Sequence, residues 1–93
     1  MLMYKVVNLD NGDELGRYWL SAQPVNSDMR FDPQLPIAGI AVHLDELQGD
    51  SLKWVEQVGG IHKDIREAGV SAYSEVWKRA EAQFPGNVYV VRV

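Results

Sequence analysis

The chain has no cysteine among its 93 residues. A disulfide framework, a thiolate zinc centre and a cysteine nucleophile are excluded together. It holds only two histidines, His43 and His62, so a catalytic zinc with more than one imidazole would require those two to meet. No apolar run approaches the roughly 18 residues of a membrane-spanning helix. The opening Met1-Leu2-Met3-Tyr4-Lys5 lacks both the basic and the long apolar region of a secretory signal. A cytoplasmic protein is the expectation. Neither sign of charge is gathered into a tail, and nine Lys and Arg stand against thirteen Asp and Glu, a net charge of −4. Such a surface repels phosphate backbones, which makes nucleic acid an unfavoured partner.

Catalytic signatures are missing too. There is no Gly-x-Ser-x-Gly elbow and no Ser-x-x-Lys. Gly59-Gly60-Ile61-His62-Lys63 has glycines and a lysine, but no strand is expected before it and Asp64 adds the wrong charge for a phosphate loop. The adjacent carboxylates Asp13-Glu14 and Asp45-Glu46 fall at predicted element ends, where they read as solvated pairs. No cofactor is implied.

What is present is ordinary globular composition, 46% hydrophobic with 10% aromatic residues, in a length that suits one domain over residues 1–93. Met3 to Leu9 and Glu14 to Leu20 flank Asn11-Gly12, a type I′ signal that predicts a hairpin. A two-residue loop there pairs Tyr4 with Trp19 and Val6 with Arg17 on one face. Ser21 to Pro36, with three prolines, reads as a long loop pinned by Met29 and Phe31. Ile37 to Leu44 is a short apolar run and predicts a buried strand. Trp54, Val58, Ile61, Ile65 and Ala68 then recur at helical spacing, with Gly59-Gly60 marking a kink or break. A second helix is predicted from Ser71, with the stripe Tyr73, Val76, Trp77, Ala80 and Phe84 ended by Pro85-Gly86. Val88 to Val93 is nearly unbroken apolar strand, and its low polarity predicts an interior place in the sheet. The order is β-β-loop-β-α-α-β: a two-layer α+β domain, with a mostly antiparallel sheet of about four strands under two helices on one face.

Two constellations carry alternative chemistry. Segment 62–79 resembles a helix-turn-helix DNA reader, because Gly69, Val70 and Ser71 supply the turn glycine, the buried residue and the cap. The next buried position of that pattern falls on Glu75 instead of an apolar residue, and Ala72 to Glu75 offer no base-reading cation. His43-Leu44-Asp45 lies on a predicted strand, where residues two apart share a face. That is the basis for a small hydrolase or metal site near His43. His62 and Asp64, on a predicted helix, point about 200° apart.

The leading reading is a non-enzymatic protein-binding module: an adaptor, subunit or inhibitor. Its expected contact residues are Tyr4, Arg17 and Trp19 on the hairpin and Met29, Arg30 and Phe31 on the loop, since aromatics, Met and Arg dominate interface hot spots. The partner is expected to be another protein. A basic nucleic-acid-binding groove is one class that the chain's acidity suits, and a homodimer through an exposed hairpin edge is a second arrangement.

Overall fold

The computed structural model describes residues 2–93. They form β1 (Leu2–Asn8), β2 (Glu14–Val25), β3 (Gly39–Gln48), β4 (Ser51–Gln57), α1 (Ile65–Gln83) and β5 (Val88–Arg92). The strands build one antiparallel sheet in the order β4-β3-β2-β1-β5, with α1 on one face. The α+β class and the one-sided helical layer match expectation. The number of elements does not, for the described residues form five strands and a single helix.

The first hairpin shows why register matters. Asn11-Gly12 do lie in its loop, with Gly12 at φ +78°. Asn8 N–H closes that loop on the Asp13 carbonyl at 2.8 Å, so Leu9 to Gly12 are outside the ladder. Leu15 is bulged out between the pairs Val6–Gly16 and Val7–Glu14. Beyond the bulge Tyr4 faces Tyr18 and Met3 faces Trp19, one residue away from the expected pairing. A one-residue slip exchanges faces. Here it puts Tyr4, Val6, Tyr18 and Leu20 together in the core, which is the arrangement that buries most. Neither hairpin strand has a free edge, because β1 also pairs with β5 and β2 with β3. The hairpin-edge homodimer therefore has no edge to use.

Sequence spacing mistook β4 for a helix. Gly49-Asp50 joins β3 to β4, with Gly49 at φ +62° in the first loop position, as a tight hairpin turn of type II′ demands. Val55 is a second bulge, lying between the pairs Leu44–Glu56 and Asp45–Trp54. That extra residue sends Trp54 and Val58 to opposite faces despite their spacing of four. Only Val58 enters the core. A strand therefore does precede Gly59-Gly60. The helix N-terminus beyond is already occupied, since Asp64 Oδ1 accepts from Glu67 N–H at 3.0 Å.

No turn interrupts the helix at Gly69-Val70-Ser71. α1 runs unbroken from Ile65 to Gln83, and Val70, which a helix-turn-helix would bury, is 67% exposed. The DNA-reading alternative loses its two-helix basis. Ala68, Gly69, Ala72, Val76 and Ala80 form the buried face, small residues that seat the helix close over the large sheet residues Tyr4, Tyr18, Leu20 and Leu44. β2 continues past Ser21 to Val25, so the loop is shorter than expected. Buried Asn26 staples it by donating from Nδ2 to the Leu35 and Pro36 carbonyls at 3.3 and 2.9 Å.

β5 is an edge strand, contrary to the expectation from its composition. Val93 N–H bonds Met3 O and Leu9 N–H bonds Asn87 O, so odd positions hold the ladder and Val88, Val90 and Arg92 turn their backbone groups outward. The Tyr73 hydroxyl caps the Val90 carbonyl at 3.1 Å, and Trp77 meets Tyr89 edge-on at 5.4 Å. Side chains from the helix guard this edge in place of charges.

Burial pushes the Tyr4 phenol above its ordinary value of 10.0, and Arg92 offsets this in part. Burial also raises Tyr18, helped by the Glu46 carboxylate and opposed by Arg79. The neutral phenols therefore contribute stability that is complete below about pH 10 and lost as pH climbs through the raised folded values. Urea midpoints should hold from pH 8 to 9.5 and fall above pH 10.5, with Tyr18→Phe flattening part of the drop.

Candidate functional site: the uncovered face of the sheet

Among the described residues no second helix or sheet covers the sheet face opposite α1. Strand alternation turns Met3, Arg17, Trp19, Ser21, His43, Asp45 and Leu47 to this side, and the β3–β4 pairing adds Leu52 and Trp54. Trp54 is 59% exposed and Leu52 nearly as open, while Trp19 is half-buried. One row across three strands reads Trp19–Asp45–Trp54. Asp45 is only 8% exposed between the two indoles. Its Oδ2 accepts from Ser21 Oγ at 3.1 Å and lies 3.3 Å from His43 Nε2.

Two shallow depressions flank this row. One, of about 250 Å³, is lined by Gln23, Met29, Ala41, His43, Trp54 and Gln57. The other, of about 340 Å³, is lined by Trp19, Leu47, Asp50 and Leu52. The first holds the more varied chemistry: the His43 and Trp54 rings are 6.4 Å apart, tilted by 31°. The Trp19 indole N–H is buried with no partner among the described residues.

The expected contact residues separate. Tyr4 is fully buried beneath the helix and bonds its hydroxyl to the Gly69 carbonyl at 3.0 Å, so it is a core residue and no part of a docking surface. Arg17 and Trp19 do lie on the open face, with Arg17 Nε 2.8 Å from Glu14 Oε2. That contact lowers the Glu14 carboxyl, chiefly through the hydrogen bond from Arg17. Met29 lines the first depression. Arg30 pairs with Asp28 at 2.9 Å and Phe31 is 55% exposed. Both line a separate loop groove with Asp32 and Leu35.

The two imidazoles do not meet. His43 belongs to the open face, whereas His62 bridges Ile40, a residue packed against the core. His62 Nε2 donates to the Val58 carbonyl at 2.7 Å, a structural clasp. Among the described residues no three His, Asp or Glu side chains gather closely enough to hold a metal ion. Sequence reasoning missed Leu52 and Trp54 as surface residues. The signal was Gly49-Asp50 between two β-prone runs. No protein-family model matches the chain, and no curated protein or solved structure does.

Proposed function

We propose that the protein is a non-catalytic binding module that docks on another protein through the uncovered face of its sheet. The observation that carries this reading is the exposed Trp54, 59% accessible beside Leu52 and Trp19 on a face with no covering layer. A sheet buries one face against helices and leaves the other polar when water is its only neighbour. Indoles and leucines on that second face are the composition of a contact surface. The polar groups beside them support a binding role over hydrolysis. The Ser21 hydroxyl donates its hydrogen bond to Asp45, so it is not paired with the imidazole as a nucleophile–base couple requires. The net charge of −4 favours a protein partner over nucleic acid.

Self-association through the free β4 edge is opposed by the sequence of that edge. The antiparallel register that sets Leu52 opposite Trp54 of a second copy also sets Lys53 opposite itself. The Val55 bulge breaks the strand just beyond.

The test compares three baits in quantitative affinity capture from the native cells: the protein, its Leu52→Ser/Trp54→Ser variant and Phe31→Ser. The double variant should lose the captured partner by about thirtyfold, as expected when a hot-spot indole is removed. Both variants should stay within about 0.5 kcal/mol of the parent in stability, because these side chains are exposed. A partner that the double variant retains undiminished refutes docking by this face.

A further inference from the structure

We infer that the depression between His43 and Trp54 is an anchor pocket for an arginine side chain on a basic segment of the partner. This rests on the docking reading above and adds the chemistry of what is recognised.

The fold places hydrogen-bond acceptors there. Gln57 Nε2 donates to the Gly59 carbonyl at 3.1 Å, which orients the carboxamide and leaves Oε1 as its free acceptor. His43 Nε2 lies 3.3 Å from Asp45 Oδ2. A neutral imidazole keeps one of its two ring nitrogens as an acceptor. Behind the imidazole stands the Asp45 carboxylate, and no Lys or Arg lines the depression. An anion would find no Lys or Arg there to pair with, and an apolar group would strand the acceptors without donors.

A guanidinium answers each requirement. It offers five N–H donors in one plane, keeps its charge at every accessible pH and stacks on an indole face. The exposed Trp54 indole supplies that platform. The ammonium of lysine has the charge without the plane, and so fits less well. The net charge of −4 would draw a basic segment toward the surface.

Met29 is an independent pointer to the same place. At φ +70° it is the one non-glycine at positive φ among the described residues. The turn that holds it is closed by Met29 N–H to Asn26 O at 3.0 Å and Asn26 N–H to Arg30 O at 2.7 Å. Glycine takes this conformation without strain, whereas a side chain there is costly. Yet the residue is a methionine that lines the depression, where its flexible thioether can pack on the alkyl stem of an arginine.

The test titrates isotope-labelled protein with three short acetylated, amidated peptides that differ at one position: arginine, lysine or citrulline, the neutral isostere. The arginine peptide should give saturable shifts confined to the Trp54 indole N–H, the Gln57 and Gln23 carboxamides and their neighbours. The other two should bind at least about tenfold more weakly. Trp54→Ala and Gln57→Leu should each weaken the arginine peptide several-fold while the remaining spectrum stays in place. Met29→Gly should weaken it too, and raise the melting temperature by about 4 °C as strain is released. Citrulline binding as tightly as arginine, or no saturable shift up to about 10 mM peptide, overturns the anchor. If that happens while the Leu52→Ser/Trp54→Ser bait still loses its partner, docking by this face stands and the arginine pocket alone falls.

Discussion

Replacing Tyr4 with alanine lowers stability by about 3–5 kcal/mol, the range for deleting a buried aromatic side chain. The Tyr4 ring is fully enclosed and lies 6.1 Å from the Tyr73 ring. Its hydroxyl donates to the Gly69 carbonyl. Truncation leaves a ring-sized void under the helix and removes that hydrogen bond at once. Small domains hold only about 5–15 kcal/mol in total, so the variant should be partly unfolded at 37 °C and show a much lower urea midpoint. Tyr4→Phe keeps the ring and gives up only the hydrogen bond, a loss of about 1 kcal/mol. A Tyr4→Ala protein as stable as the parent would return this residue to the surface and refute the observed register of the first hairpin.

Gly39→Ala costs about 2–3 kcal/mol, as overpacking does where neither neighbour can retreat. A Cβ at Gly39 would run into the His62 carbonyl oxygen and would lie 2.6 Å from Ile61 Cγ2. Those atoms belong to the bridge that ties the segment after β4 back to β3. Ile40 N–H donates to His62 O at 2.9 Å, and His62 N–H donates to Ile40 O at 2.8 Å. The added methyl forces the bridge open and frees His62 from its clasp on Val58. Gly60→Ala is the control, since a Cβ there meets nothing within 4 Å, and it should stay within about 0.5 kcal/mol of the parent. Chemical denaturation of the three proteins decides the matter. Equal midpoints for Gly39→Ala and the parent would mean that the close approach is not real.

How far the sequence could be read depended on whether local spacing survived into three dimensions. The first hairpin, the apolar β3 run and the stripe of Tyr73, Val76, Trp77 and Ala80 were legible, because each lies within one regular element. Two bulges were not. Leu15 and Val55 each insert a residue that no period announces, and each changes which side chains share a face. The first placed Tyr4 and Trp19 on opposite sides. The second scattered the apparent helical face Trp54–Val58–Ile61, so an exposed indole was assigned to a core. β5 failed for another reason. Its protection comes from Tyr73 and Trp77, seventeen and twelve residues before Val90 and Tyr89, which they cover, and composition at β5 itself carries no trace of them. For the open face, Arg17, Trp19 and Met29 could be named from residue type alone. Their grouping with His43 and Trp54 required the strand order.

The helix covers the sheet unevenly. It packs most on β5, less on β1 and β2, least on β3, and its backbone does not approach that of β4. Amide hydrogens should therefore exchange with solvent in a graded order, fastest along β4 and slowest along β1 and the inner side of β5. Local opening would then begin at the strand that carries Trp54. A partner could remould that margin of the molecule at small expense while the clamped half stays shut.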